Sequence, residues 1–195
     1  MGTTANKLAT PLAPLLPRLE LDAEGAALVA GLPDAATGVD RLAGVDRPAD
    51  ALRLIAHALP KREAVWLACM CARAVPDLAP TPLDDAALAA AELWVRRPDD
   101  ASRRAAMAAA QASGCRGPEA WAAVAAFWSG GSMAPEGQPE VPPADNLTGV
   151  AVAGAMMLAA ARHGPERGPE RLQRFLVAAR DIAAGGAGRI VPEED

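Results

Sequence analysis

The sequence predicts an all-α protein folded as a compact bundle of about seven or eight helices. Alanine, the strongest helix former, makes up roughly a quarter of the 195 residues. Apolar residues recur at helical spacing, and no segment alternates apolar and polar residues in the manner of a β-strand. We expect one helical domain over residues 21–188, a proline-punctuated arm at 1–20 and an acidic tail at 189–195.

The N-terminal part of the chain carries only weak helix signals. Three prolines interrupt the arm: Pro11, Pro14 and Pro17. Because proline breaks regular helix, we expect this arm to be flexible or to lie along the surface. Residues 21–42 are weakly helical and include one short helix, "DAEGAALVAGL", that Gly31 and Pro33 end.

Two stronger helices follow. The segment "RPADALRLIAHAL" has a proline near its first turn and apolar residues at helical spacing. Pro60 ends this helix and opens the next segment, "PKREAVWLACMCARAV". Residues 64–72 of that segment carry no charge, which is typical of a helix that is buried on nearly all sides.

Further helices extend to the C-terminal part of the chain. Thr81 or Asp84 can cap "TPLDDAALAAAELWVRRP", and Gly114 ends "PDDASRRAAMAAAQASG". The segment "GPEAWAAVAAFWSGG" has Pro118 in its first turn. After a long loop, "NLTGVAVAGAMMLAAARHG" and "GPERLQRFLVAARDIAAGG" complete the set. We expect five large side chains to hold the core: Trp66, Trp94, Trp121, Trp128 and Phe175.

A faint internal repeat suggests a second arrangement of the same helices. The string "RPADA" followed by "REAVW" is echoed by "RPDDA" followed by "PEAWA". Each pair would form a helical hairpin, so stacked helical hairpins are the alternative to a simple bundle. Chance repetition in a chain rich in proline and alanine explains the echo equally well.

The loop at residues 129–145 is long and rich in proline and glycine. Two consecutive glycines allow a sharp helix exit, and the prolines hold the chain extended until Asp145 or Asn146 caps the next helix. Loops of this length are usually functional or disordered. This one is a rigid strap that pins Met133 and Val141 onto the core, a strap that binds a partner, or both. The candidate protein-binding residues are Trp128, Ser129, Gly130, Gly131, Ser132, Met133, Pro135, Pro139, Val141, Pro142 and Pro143.

Charge and hydropathy exclude two classes of partner. The formal net charge of −5 and the sequence pI of about 5.1 argue against nucleic acid, since phosphate binding needs a concentrated basic face. The longest apolar run, Val150–Ala161, has 12 residues. A membrane span needs about 20, so we expect a buried helix and no membrane partner. The three cysteines lack disulfide spacing, which is typical of cytoplasmic proteins.

The chemistry-bearing residues are few and scattered. Cys69 and Cys71 lie two positions apart on one helix, so their side chains diverge and cannot share a metal ion. No pattern in the chain predicts a metal or cofactor site. The alternative to a binding protein is a small hydrolase or transferase that uses Cys115 or Ser129 with His57.

Several strings of the chain are distinctive: "LPKREAVWLACMCAR", "WVRRP", "AAFWSGGSMAP", "VPP" and "AVAGAMMLAAA". They lie within residues 47–162 and resemble the recurring blocks of an uncharacterised bacterial family of alanine-rich helical proteins. We associate that family loosely with gene neighbourhoods of type VI secretion. The resemblance implies an accessory protein of a contractile secretion apparatus or of its effectors, and it implies no catalytic residue.

We therefore predict a non-enzymatic, cytoplasmic factor that binds another protein as an adaptor or a chaperone-like accessory. The prediction rests on an acidic helical scaffold with one stiff loop beside Trp128, because stiff loops lose little entropy on docking and aromatic side chains are frequent anchors. The arm adds three leucines spaced by prolines: Leu12, Leu15 and Leu16. The identity of the partner stays open, and a homo-oligomer is compatible with the same features.

Overall fold

The computed structural model describes residues 6–193 and confirms an all-α protein. Within that range the regular structure consists of nine α-helices and two short 3-10 helices, Leu16–Arg18 and Pro165–Arg167. An isolated bridge between Pro11 and Asp34 is the one β-type pairing in this part of the chain. The α-helices are α1 (Ala23–Val29), α2 (Ala35–Gly44), α3 (Pro48–Ala58), α4 (Lys61–Ala74), α5 (Pro82–Arg96), α6 (Asp100–Ala112), α7 (Pro118–Phe127), α8 (Leu147–Ala161) and α9 (Gly168–Ala183).

The helix count exceeds the about seven or eight that the sequence pattern predicts, because the weakly helical region near residue 30 forms two helices. Gly31 ends the first of these with a φ of +74°. Asp34 then caps α2, and its Oδ1 accepts a hydrogen bond from the N–H of Thr37 at 2.8 Å. A local cap thus starts a helix that apolar periodicity alone does not reveal.

The helices α7 and α8 lie at the centre of the bundle. The α7 helix packs against α4, α5, α6 and α8, while α8 also packs against α3, α4 and α9. The α8 helix carries no charged residue, and Glu119 is the one charged residue of α7. Most buried residues of both helices are alanines, and small side chains at a contact let helix axes approach closely.

The N-terminal segment belongs to the core, which differs from the flexible or surface arm expected from its prolines. Its leucines recur every three or four residues and are buried: Leu8, Leu12, Leu15 and Leu19. The N–H groups of Ala35 and Ala36 donate to the carbonyl oxygens of Thr10 and Leu8, so this segment is tied to the start of α2. The prolines prevent a continuous helix in this segment. The leucines still recur at helical spacing, so one side of the segment faces the core. Residues 1–5 of the predicted arm lie outside the described residues.

The tryptophans lie mostly at the edge of the core rather than inside it. Trp94 and Phe175 are buried, as expected. The other three indoles are only partly buried: Trp66, Trp121 and Trp128. The indole N–H groups of Trp66 and Trp121 donate to backbone carbonyl oxygens at 2.8 and 3.1 Å. Close alanine contacts leave little room for an indole, and its N–H needs a polar partner, so the core excludes these side chains.

The contact between α3 and α8 predicts a penalty for any side chain at Gly149. A β-carbon there would lie 2.3 Å from Nδ1 of His57. We expect Gly149→Ala to lower the free energy of unfolding by about 1–3 kcal/mol, the range for overpacked cores, as measured by urea denaturation. Gly44→Ala is the control, because no atom lies within 4 Å of a β-carbon at that position. Equal effects of the two substitutions would contradict the close packing of His57 on α8.

The burial of the N-terminal segment predicts a large effect for Leu12→Ala. Leu12 is 0% exposed. We expect its truncation to lower the free energy of unfolding by about 2–5 kcal/mol, as for other buried leucines. The matched control is Leu78→Ala, which removes a leucine that is 66% exposed and should change stability by less than about 0.5 kcal/mol. A neutral Leu12→Ala would show that the segment is not part of the folded core.

Candidate functional site

The loop between α7 and α8 closes on itself at its middle. The N–H of Met133 donates to the carbonyl oxygen of Val141 at 2.8 Å. The hydroxyl of Ser132 accepts hydrogen bonds from the N–H groups of Ala134 and Val141 at 3.1 and 3.0 Å. Residues 135–140 therefore leave and rejoin the loop at nearly the same point, and we call these six residues the tip.

A turn inside the tip reverses the chain. The N–H of Gln138 donates to the carbonyl oxygen of Pro135 at 3.2 Å. Gly137, at the third position of this turn, has a φ of +79°, which glycine adopts without strain. The structure thus differs from the extended strap that the prolines predict. One glycine is sufficient to reverse a chain that proline otherwise stiffens.

The predicted binding residues divide into a partly buried base and an exposed outer part. The partly buried members are Trp128, Ser129, Gly130, Ser132, Met133 and Pro143. The exposed members are Gly131, Pro135, Pro139, Val141 and Pro142. Val141 is 48% exposed, so it does not pin the loop onto the core as the sequence suggested.

Two arginines of α6 hold the base of the loop in place. Arg103 is buried and donates to the carbonyl oxygens of Phe127 and Ser132 at 2.9 and 2.8 Å. Its guanidinium carbon lies 4.7 Å from the ring centroid of Phe127, in cation–π contact. Arg104 donates to the carbonyl oxygen of Ala134 at 3.0 Å. The arginines that fix the base therefore lie on α6, which α7 separates from the loop in the sequence.

Asp100 orients both arginines from one helical turn away. Its carboxylate accepts a hydrogen bond from Arg103 at 2.6 Å and from Arg104 at 2.7 Å. Hydrogen bonds lower the pKa of Asp100 below its usual value, and the one from Arg104 contributes more than the one from Arg103. Gly131 leaves room for this arrangement, because a β-carbon there would lie 2.9 Å from Nε of Arg103. The φ of Gly131 is also positive, at +63°.

An apolar surface lies beside the base of the loop. The rings of Trp121 and Trp128 meet edge to face, with centroids 6.4 Å apart. Trp121 also covers Gly154 of α8, where a β-carbon would lie 3.3 Å from the indole. Val150 and Leu158 are exposed one helical turn to either side of Gly154. We call these five residues the tryptophan patch.

A groove next to the patch contains an ion pair that the sequence does not reveal. Arg162 donates to both carboxylate oxygens of Glu119 at 2.8 and 2.7 Å and also donates to the carbonyl oxygen of Val75. The groove has a volume of about 660 Å³, and exposed Leu158 and Leu83 lie on its wall. Glu119 and Arg162 are 43 positions apart, so no local pattern could pair them.

The residues of the alternative catalytic hypothesis lie in different settings. Cys115 has a φ of +54°, and its Sγ lies 3.3 Å from the carbonyl oxygen of Ala110. His57 lines a depression of about 230 Å³ with Arg18 and Asp145, and burial lowers the pKa of its imidazole. Among residues 6–193, no hydrogen bond joins His57 to Cys115 or to Ser129, and neither of these two residues lines the depression at His57.

The described residues form neither a metal-ligand cluster nor a membrane-spanning helix. No cluster of three or more histidine, cysteine, aspartate or glutamate side chains is placed to hold a metal ion between residues 6 and 193. In the same range no helix has both the length and the apolar character needed to cross a bilayer. Cys69 and Cys71 are buried, and burial raises the pKa of both thiols.

A family model covers most of the bundle. It matches residues 38–183, from within α2 to the end of α9, and its description reads "Family of unknown function (DUF6931)". The chain belongs to DUF6931. The expectation of an uncharacterised family is thereby confirmed, and the match states nothing about type VI secretion. No curated protein and no solved structure matches the chain.

The anchoring of the loop predicts that Arg103 contributes to stability. Arg103→Gln should leave the carbonyl groups of Phe127 and Ser132 without their donor and lower the free energy of unfolding by about 1–3 kcal/mol or more. Amide hydrogen exchange at Met133 and Val141 should become faster as the loop loosens. Arg41→Gln is the control, since Arg41 is an exposed residue of α2. Unchanged exchange in Arg103→Gln would mean that the loop keeps its shape without this anchor.

Proposed function

We propose that this member of DUF6931 is a non-enzymatic accessory factor that binds another protein through the tip and the tryptophan patch. The observation that carries the proposal is the contrast within one loop: buried Arg103 holds its base, while its tip is exposed. A loop already held in one shape loses little conformational entropy when a partner docks. An adaptor or chaperone-like role in the reducing cytoplasm is consistent with these features and with three free cysteines.

The tryptophan patch supplies the apolar part of the proposed interface. Indole rings at a partly exposed position are frequent energetic centres of protein interfaces. Trp121 and Trp128 are fixed against each other and against α8, so they would dock as a rigid pair. The exposed Val150 and Leu158 extend the apolar area along a helix that carries no charge.

The tip supplies the polar part and sets the expected chemistry of the partner. Glu136 and Glu140 are exposed on the tip and are separated by Gly137, Gln138 and Pro139. A complementary partner would offer an apolar recess for the patch and a basic rim for these carboxylates. A role beside a type VI secretion apparatus or its effectors rests on the sequence resemblance and belongs to this proposal.

The proposal predicts that changes to the patch and to the tip reduce capture of the same partner. The patch variant is Val150→Ser with Leu158→Ser, and the tip variant replaces residues 135–140 with a Gly/Ser segment of equal length. Tagged forms of each would be used to capture proteins from a lysate of the source organism, with quantitative mass spectrometry as readout. We expect at least about tenfold less partner with either variant, equivalent to about 1.4 kcal/mol.

The control for this experiment is Val177→Ser, which changes an exposed valine on α9 outside both surfaces. It should capture as much partner as the unchanged protein. Thermal midpoints of all variants should agree closely, because the substituted side chains are exposed. A partner that either the patch variant or the tip variant captures as well as the unchanged protein does would overturn the proposal.

A further inference from the structure

Three arginines converge on a single carboxylate near the end of the described chain. Arg171 donates to the two carboxylate oxygens of Glu193 at 3.0 and 2.7 Å. Arg174 and Arg167 each reach the same carboxylate at 3.1 Å. Within residues 6–193 these arginines have no other acidic partner at ion-pair distance. Glu193 is therefore the shared ion-pair partner of three arginines, which we call the arginine cluster. The carboxylates of Glu166 and Glu170 also act on Arg171, from beyond ion-pair distance.

The central arginine of the cluster is held in place without Glu193. Arg171 is 2% exposed, and its Nη1 donates to the carbonyl oxygens of Ala160 and Arg162. Both carbonyls belong to the C-terminal end of α8, where a helix leaves such groups without internal partners. Arg171 is therefore fixed by the bundle and would keep its position if Glu193 were absent.

The segment that carries Glu193 is attached through Ile190, which packs against the core, and through a few polar contacts. Residues 189–193 form no regular secondary structure, and Val191 is 78% exposed. Besides its ion pairs, Glu193 donates its N–H to the carbonyl oxygen of Ala74 at 2.9 Å, and Arg174 contacts the carbonyl oxygen of Val191. Of the predicted acidic tail, Glu194 and Asp195 lie outside the described residues. Beyond Ile190 the segment is thus held by the polar contacts of Glu193 and Val191.

A cavity beside the carboxylate provides room for a larger occupant. Its volume is about 230 Å³, and Arg167, Arg171 and Glu193 form its polar side. Its other side is formed by Val75, Pro76, Leu78 and His163. A peptide carboxylate at the cluster could therefore place a neighbouring apolar side chain against this wall.

We propose that the arginine cluster is a binding site for a glutamate-containing extended segment of another protein, and that the chain's own Glu193 occupies this site in cis. Paired N–H donors of arginine match the geometry of a carboxylate, and such charge-assisted hydrogen bonds are strong and specific. A tethered segment competes at an effective concentration in the millimolar range. This site shares no residue with the tip or the tryptophan patch. This proposal and the proposed function can therefore fail independently of each other.

The test uses the full-length chain with Glu193→Gln, which removes the carboxylate in cis and keeps its shape. The probe is a fluorescent synthetic peptide with the sequence of residues 187–195, AGRIVPEED. Fluorescence anisotropy should show that Glu193→Gln binds this peptide at least about tenfold more tightly than the unchanged protein does. Binding should weaken as salt is added, because the attraction is between charges. A peptide with glutamine in place of Glu193 should bind much less.

A second substitution distinguishes the cluster from non-specific attraction. In the Glu193→Gln background, Arg174→Gln should weaken peptide binding several-fold, whereas Arg180→Gln should not. Arg180 lies on the same helix but pairs with Asp40 instead. The circular dichroism spectrum of Glu193→Gln should match that of the unchanged protein, because the carbonyl oxygens of Ala160 and Arg162 hold Arg171 without this carboxylate. A substituted protein that does not fold would also overturn the proposal. Equal peptide binding by the unchanged and substituted proteins, no binding by the substituted protein, or equal effects of Arg174→Gln and Arg180→Gln would each overturn the proposal.

Discussion

The close approach of α7 and α8 is the constraint on which the rest of the structure depends. Alanines at their contact bring the two backbones together, and this leaves no space for large side chains between them. Large side chains therefore lie outside this contact, and Trp121 and Trp128 lie where the core meets solvent. The surface available to a partner thus follows from how the interior is filled.

A second regularity follows from the short, tightly packed helices, because each helix end leaves carbonyl groups without internal partners. Arginine side chains from outside the helix concerned supply the missing donors at four of these ends. Arg162 serves the end of α4, Arg62 that of α5, Arg103 that of α7 and Arg171 that of α8. Arginine suits this task, since it offers several N–H donors on a long side chain and keeps its charge. The loop base and the arginine cluster are both extensions of this pattern.

The parts of the fold that local signals encode could be predicted from the sequence, and the parts that depend on distant contacts could not. The charge-free run at 64–72 and the first-turn Pro118 correctly indicate α4 and α7, because burial pattern and capping are properties of neighbouring residues. The burial of the N-terminal leucines and the pairing of Glu119 with Arg162 depend on the tertiary arrangement. For the candidate site, the sequence identified the loop, but Arg103 and the reversal at Gly137 became apparent only in three dimensions.

The arginine contacts at helix ends also change how the protein can open locally. In an isolated helix the last turn frays independently of its surroundings. Here the last turn of α7 cannot unwind without releasing a side chain of α6, and the last turn of α8 cannot unwind without releasing one of α9. Fraying thereby becomes an event shared by two helices, and small openings that would otherwise be separate merge into larger cooperative units.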